Sequence, residues 1–526
     1  MTAQQSCNDM YNGIQEKTAN LLWEWGKILQ SSRNEMEIDQ KFNIFVHTNR
    51  NGIFKSVEMI SEFFRIATQM CVKNVYQLLN KDKAPPRREN YYVMCDSFIK
   101  LVSLLIKKNA HSANPAPQLK LLPMILNTIA GRLLQDQEEH GIHFHQLPYH
   151  RLIIILFLEM TQEDMAIVNY EVVFEFYQML RIVRPSAAPG FCYAWLEIVA
   201  HRVFMHRVLV ATSIRQGAGM MYCTLLILLF EFLHPFLRNT EWAPPVIMLY
   251  KGTLKVLLVL VHDFPEFLCD YHYRFCDEIP PNCIQMRNII LSAYPMNMIP
   301  PYPLSLNLDV DLIAEMSLPP RTAIHFEAII PSSKLKKDLD AYLEAQAPVT
   351  FLSELRSNIQ VVNELGSRYD TKMMNAVVLY VGTKAIAHIR AKGQTPNMTT
   401  IAHSAHMDIF QNFAVDFDCE GRALFLNAIA NQLRYPNSHT HYFSCCLLYL
   451  FAEAVNIKEQ ITRVLFERFL AERPIPWGIL VTLNKLVHDP VYKFWTQEFV
   501  VRCKQDIGNV ARIIATRHRI YNGQQI

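Results

Sequence analysis

Glycine is scarce in this chain, 16 of 526 residues, and Asn-Gly pairs such as Asn51-Gly52 and Asn522-Gly523 lie in charged or polar stretches. An all-β chain built on tight hairpins is therefore excluded, because such turns need glycine and a flanking alternation of apolar and polar residues. Charge is also low, 19% against the roughly 25% usual for soluble domains. With 51 Lys plus Arg against 48 Asp plus Glu, the net charge of +3 excludes the strongly basic balance of a dedicated nucleic-acid binder. The 12 cysteines show no regular framework, which points to reduced thiols rather than disulfides. The start, MTAQQSCNDMYNG, lacks the apolar stretch of a signal peptide. The uncharged runs from Gly217 to Phe230 and from Leu152 to Leu158 stop at Glu231 and Glu159. Both fall short of the ~20 apolar residues that span a bilayer, so they are expected to be helices buried in protein.

What is present is apolar residues, 51% of the chain, with 11% aromatics and 27 prolines. Such a composition buries a large core and excludes global disorder. Helical periodicity dominates. In Lys251-GTLKVLLVLVH, the polar residues Lys251, Lys255 and His262 fall within about 40° of one another on a helical wheel. So thin a polar stripe predicts a helix covered on most sides. Glu171, Glu175 and Gln178 form a similar stripe, and Glu459, Arg463 and Glu467 recur every fourth residue on an exposed face. Prolines at Ala84-PPRREN, Asn114-PAP, Pro185-SAAPG, Trp242-APP and Pro474-IPWG mark helix ends, because proline lacks the amide donor and clashes with the previous turn. The stretch from Tyr294 to Arg321 holds six prolines and no helical period. It reads as an ordered, irregular connector between two helical lobes, lying against the surface through Met296, Ile299 and Leu304. The expected fold is all-α, a HEAT-like α-solenoid of antiparallel helix pairs in two lobes. The expected divisions are an N-terminal helical part at 1–120, a first lobe at 121–294, the connector with a short helix at 295–347, and a second lobe at 348–526.

Four chemistries were sought. His403 and His406, with His441 and Cys445, have zinc-ligating side chains, but no paired CxxC spacing accompanies them. Asp416, Asp418, Glu420 and Gly421 match the start of a calcium loop, yet Asn427 stands where a bidentate Glu is required. Cys269, Cys276 and Cys283 recur every seven residues near His272, among apolar neighbours that favour core thiols over a nucleophile. Gly382-Thr-Lys is no phosphate loop, since it lies in a helical stretch. No catalytic, metal or cofactor residue is assigned. The clusters Lys334, Lys336, Lys337 and Arg512, Arg517, Arg519 leave a helical RNA-binding module as the alternative, with weak salt-sensitive contact, and a hydrolase with a non-standard site as a further rival.

Longer words carry more than periodicity. LYKGTLKVLLVLVHDFPEFLCDYHYRFCDEIPPNCIQMRNIILSAYP from Leu249, TIAHSAHMDIFQNFAVDFD from Thr400 and EGRALFLNAIANQLRYPNSHTHYFSC from Glu420 closely resemble the C-terminal module of the Not-one family. These proteins are the large scaffold subunits of the Ccr–Not mRNA deadenylase complex. Shorter words, QLPYHR at Gln146, APGFCYAWLE at Ala188, HPFLRN at His234, PVTFLSELRSNIQV at Pro348 and NAVVLYVGTKAIAHI at Asn375, run in the family's order, while residues 1–120 match weakly.

The resemblance implies a non-enzymatic scaffold without cofactors or membrane contact, supporting mRNA deadenylation, decay and translational repression. It would hold the heterodimer of the two smaller Not-box subunits and linear peptides of Nanos-type and other mRNA-specific repressors. Deadenylases would join through upstream regions that this chain lacks. The implied location is cytoplasmic, including mRNA-processing bodies, and nuclear. Two segments are expected to take part in partner binding. One is Asp263, Phe264, Tyr271, His272 and Tyr273, after the Val259 helix. The other is Arg434, Tyr435, Asn437, His439, His441 and Tyr442, around the turn Arg434-YPNSHTH. Buried helix-end packing for the first, and a structural loop capping neighbouring helices for the second, are the alternatives.

Overall fold

Side-chain caps and prolines set the helix boundaries. Asn34, Ser333, Asp370, Asn397, Ser404, Asp418 and Asn437 each accept an amide of the first helical turn, and Pro148, Pro244 and Pro265 each stand within the first two helical positions, where the missing amide costs nothing. The computed structural model describes residues 3–81, 91–109, 121–161, 166–210, 217–239, 241–305, 308–331, 333–361 and 368–502. Among them no strand occurs beyond one isolated bridge between Gln360 and Tyr369. The fold is an all-α solenoid, divided into compact units at Met1–Phe232 and Leu233–Ile526.

The first unit contains α1 (Ala3–Ser31), α2 (Glu35–Thr48), α3 (Val57–Lys81), α4 (Val93–Asn109), α5 (Leu121–His140), α6 (Leu147–Met160), α7 (Ala166–Ile182), α8 (Cys192–Val199) and α9 (Arg202–Val210). Contacts run α1–α3–α5–α7–α9 in one row and α4–α6–α8 in the other. Each helix thus touches the next but one, the signature of helix pairs stacked in two layers. Large aromatics fill the space between layers. Trp25 lies edge-on to Phe42 at 5.9 Å and donates its indole N–H to Ser97 O at 2.9 Å. Trp195 does the same to Leu180 O at 2.9 Å, so neither buried indole is left unsatisfied.

Helix α10 (Ala218–Leu237) runs across the division. The second unit continues with α11 (Pro244–Asp263), α12 (Pro265–Glu278), α13 (Ile284–Leu291), α14 (Lys334–Ala345), α15 (Thr350–Ile359), α16 (Thr371–Ala391), α17 (Met398–Ile401), α18 (Ala405–Asp416), α19 (Cys419–Ala430), α20 (Ser438–Glu453), α21 (Lys458–Leu470), α22 (Trp477–His488) and α23 (Glu498–Arg502). Here α16–α19–α21 form one row and α18–α20–α22 the other. Their shared core extends from Leu304 to Val500 and takes in Phe410, Phe413, Phe425 and Phe443.

The described residues within 292–333 hold short 3-10 turns and no α-helix, in keeping with the six prolines between Tyr294 and Arg321. Both ends lie in the second unit, so this segment is a strap across that unit. Leu304 and Ile330 plug into its core, and Met316 packs with Trp477 and Val481. Polar ties fasten it: Trp477 donates to Pro301 O at 2.7 Å, the Ser438 amide to Leu318 O at 2.8 Å, and Arg321 pairs with Asp270 through two bonds of 2.8 and 2.9 Å.

One expectation needs correction. Glu231 does not end its helix; it faces outward while α10 continues to Leu237. The stretch Gly219–Leu237 and helix α11 are therefore long and apolar enough to cross a membrane, although half of the first window and a third of the second are buried within the fold. Nor is α11 covered on most sides. Its thin polar stripe is exposed, and so are Met248, Leu258 and Val259.

Candidate partner-binding surfaces

The turn Arg434–Tyr442 begins as the chain leaves α19 and ends inside α20. Asn437 caps α20, its Oδ1 accepting the amides of His439 and Thr440, each at 3.0 Å. Thr440 Oγ1 accepts the Arg434 amide at 3.1 Å and donates back toward Tyr435 O at 2.8 Å. These local bonds satisfy the turn's own backbone and fold it inward. Arg434, Tyr435, Asn437, His439, His441 and Tyr442 are consequently all buried.

Four of these side chains, Arg434, Tyr435, His439 and His441, reach other elements. The Arg434 guanidinium donates to Cys269 O on α12 at 3.4 Å and to Arg321 O on the strap at 3.5 Å. The Tyr435 hydroxyl accepts the Arg321 amide at 2.7 Å. Arg434 O accepts the Gly478 amide of α22 at 2.6 Å, and only glycine permits this approach, since a Cβ there would stand 2.7 Å from the Leu433 carbonyl carbon. His441 Nε2 lies 3.0 Å from Asp311 Oδ1. His439 packs on Phe326 at 5.1 Å, and burial, reinforced by Arg434, pushes its pKa down to about 3. The expected exposed binding loop is corrected on this point: these side chains are buried, His441 alone among them edging a cavity, and the turn is a junction joining α12, the strap, α20 and α22.

The other segment divides. His272 is buried, donates from Nδ1 to Cys269 O at 2.9 Å, and has its pKa driven well below the usual value, first by burial and then by Arg434. Structure thus brings His272 together with Arg434 and His439. Asp263 is exposed at the end of α11, and Phe264, Tyr271 and Tyr273 are half-buried. Tyr271 leans on Phe267 at 5.2 Å, and burial, then Asp277, raises the Tyr273 phenol. Asp263 and Phe264 close the end of α11, whose exposed side mixes Leu258 and Val259 with Lys251, Lys255 and His262, while the Tyr273 phenol lies near Asp277 and Asp370.

The other candidate chemistries dissolve into packing. Asp418 caps α19 by accepting the Gly421 amide at 2.9 Å, and Arg368 bridges Asp418 and Glu420 at 2.8 and 3.1 Å, so no calcium loop exists there. Burial raises the thiols of Cys269 to about 12 and Cys283 to about 11, and that of Cys276 above its usual value, the wrong direction for a nucleophile. Gly382 lies inside α16, where a Cβ would strike the Phe443 ring. Cys445 donates toward Pro396 O at 3.6 Å and shares no ligand point with His403 or His406. Lys334, Lys336 and Lys337 open α14, with Lys336 donating to Glu327 O; Arg512, Arg517 and Arg519 lie outside the described residues.

Sequence reading missed one convergent group. Among the described residues, Asp136, Glu139 and His140 of α5 have ligand atoms within 4.8 Å of one another. The i, i+3, i+4 spacing was the available signal. Arg132 already bridges both carboxylates, at 2.9 and 3.1 Å, and Tyr76 donates to Asp136 at 2.6 Å, so the group is a closed ion-pair network.

Fold and surface together define an all-helical solenoid whose interior polar groups hold helices to one another. Residues 156–515 match the family described as CCR4-Not complex component, Not1, and the chain belongs to that family. The CCR4-NOT transcription complex subunit let-711 of Caenorhabditis elegans is 41% identical over 525 residues, covering 95% of this chain and 20% of that protein. The general negative regulator of transcription subunit 1 of Schizosaccharomyces pombe is 28% identical over 494 residues, covering 91% and 22%. The chain spans about a fifth of the length of these curated relatives. With 95% of the chain aligned, the likeness extends well into residues 1–120, where few shared words are visible. The NOT1 superfamily homology domain from Chaetomium thermophilum superposes with a TM-score of 0.84 at 22% identity, covering 96% of this chain and 99% of that one. A Not1 C-terminal domain in complex with Not4 gives 0.76 at 24% identity, covering 92% and 98%. Both share the fold.

Proposed function

We propose that this chain is a non-enzymatic docking frame of the CCR4–NOT complex. One observation carries the reading: polar side chains sit inside, neutral or hydrogen-bonded, while Met248, Leu258 and Val259 of α11 stand open to solvent. Groups arranged this way fasten helices and leave apolar area for a partner to cover. A related domain has been solved in complex with Not4, which supports the binding of a Not-box subunit here. The partners proposed are the heterodimer of the two smaller Not-box subunits and short apolar segments of mRNA-specific repressors, bound in the cytoplasm and nucleus to promote deadenylation, decay and translational repression. Asp263, Phe264, Tyr271 and Tyr273 would border the contact, and the Arg434 turn would act by holding α12 in place. RNA is disfavoured as a direct ligand because the net charge is only +3 and two of the surface lysines are already paired, Lys372 with Glu278 at 2.6 Å and Lys384 with Glu327 at 2.9 Å.

The test is co-purification of the chain with the two Not-box subunits, as wild type and as the Leu258→Glu, Val259→Glu double variant. Loss of capture with unchanged melting supports the surface. Equal capture sinks it, and tight RNA retention on a filter at physiological salt would favour the nucleic-acid reading.

A further inference from the structure

At the junction of α14, α16 and α18 lies a cavity of about 300 Å³ whose wall is unusually rich in N–H donors. His388 and Lys392 come from the last turn of α16, His403 from the preceding loop, and His406 from the first turn of α18. Ser404 and Ala405 complete that side. Helix α18 has twelve residues, and its first amides point out of the helix with no partner a turn back. Ser404 Oγ takes the amide of Met407 at 3.2 Å, which leaves those of Ala405 and His406 for whatever enters. The positive end of the helix dipole lies at the same place.

His406 is the second, independent sign. It is only 5% exposed, lines the cavity, rests on His388 at 5.7 Å, and makes no hydrogen bond among the described residues. Its ring nitrogens are not among the buried unpartnered atoms of the described residues, so they are reached from the cavity, and a ligand there meets an imidazole with no protein partner to displace. The three imidazoles do not converge on a metal point: the sole group of metal-type ligand atoms within reach of one another among the described residues is elsewhere, on α5. Donors without convergence suit a tetrahedral anion.

We propose that this cavity takes a phosphomonoester, carried by a phosphorylated serine or threonine on a peptide segment of a partner. Lys392 supplies the charge, the α18 amides and His406 supply donors to separate oxygens, and His388 and His403 close the mouth. The opposing charges are Glu344 of α14, which lines the cavity, and Asp408 in the first turn of α18, which is drawn away by Gln346 Nε2 at 2.5 Å. One lysine serves a single phosphate group better than a nucleic-acid strand, which needs cations repeated along its backbone. The site is distinct from α11's apolar face, so either can fail without the other.

The experiment uses the full chain with histidine rings labelled for NMR. The probes are inorganic phosphate, O-phosphoserine, a phosphoserine peptide and its unphosphorylated twin. Expected are saturable shifts of the His388, His403 and His406 ring signals with the three phosphate-bearing probes and none with the twin. Lys392→Glu, on an exposed residue, should leave melting unchanged and weaken the phosphoserine peptide by about tenfold or more, as loss of a charge-assisted hydrogen bond requires. Burial pushes the free His406 pKa down to about 4, so bound dianion should raise its titration midpoint, which a merely structural histidine would not show. Absent shifts, equal affinity in the Lys392 variant, or shifts by an RNA oligonucleotide but not by phosphoserine would each overturn the assignment.

Discussion

The Arg434–Tyr442 turn and the outer face of α11 invert what their composition suggests. The turn is polar and aromatic, yet it is buried; the helix is Leu- and Val-rich, yet Met248, Leu258 and Val259 are open. The turn can be buried because its polar groups bond either within the turn, as Asn437 and Thr440 do, or to the strap and α12, as Arg434, Tyr435 and His441 do. The helix can stay open because its buried side, Leu249, Tyr250, Thr253, Val256, Leu257 and Leu260, already suffices to hold it. Burial follows from which elements meet, and residue type only sets what that burial costs.

The sharpest way to break this contrast is Arg434→Ala. Removing the guanidinium takes away its bonds to the Cys269 and Arg321 carbonyls, the first of which keeps His272 as a donor, and opens a cavity, so a loss of about 3 kcal/mol is expected in urea unfolding. A loss under about 1 kcal/mol would mean the turn is peripheral. For α11, the Leu258→Glu, Val259→Glu double variant should fold normally yet lose about 2 kcal/mol of affinity for the Not-box subunits, read by titration calorimetry. Acid tests the junction next. The pKa values of His439 and His406 fall to about 3 and 4 in the fold, against 6.5 as the ordinary value. Both therefore favour the fold above pH 6.5, and that stability drains as pH falls toward 4, by about 1.4 kcal/mol per pH unit for each histidine. Asp277 runs the other way: burial raises it to about 7, so its contribution is present below its ordinary 3.8 and is gone once pH passes 7. Asp277→Asn should remove the decline in melting temperature that this carboxyl imposes between about pH 4 and 7 and leave the slope of the profile above pH 7 unchanged. Asn437→Ala should cost about 1 kcal/mol through the lost α20 cap, visible as a small fall in melting temperature. Smallest is Asp270→Ala, worth under about 1 kcal/mol, because Arg321 is about half exposed and its charge is screened.

Much of the architecture was legible. The helix start at Pro244 followed from the break at Trp242-APP, and the exposed Glu459–Arg463–Glu467 face appears with Arg463 and Glu467 at 2.8 Å. The irregular course from Tyr294 to Arg321 followed from its prolines. Its partners did not, because Trp477, Ser438 and Asp270 lie far away in sequence. The candidate site was legible only as a list of unusual residues. His272 and Arg434 are 162 positions apart, and nothing in either word shows that they share one buried cluster. The cavity beside His406 is of the same kind, since His388 and Lys392 come from another helix.

By itself the order of residues determined that this chain is helical, where many of its helices begin, and that it belongs with the Not1 proteins, because caps, periodicity and long shared words are local properties. Which polar groups are hidden, which apolar face remains open and where donors gather into a cavity were decided only when the helices packed. Those outcomes depend on contacts between residues that no local pattern relates.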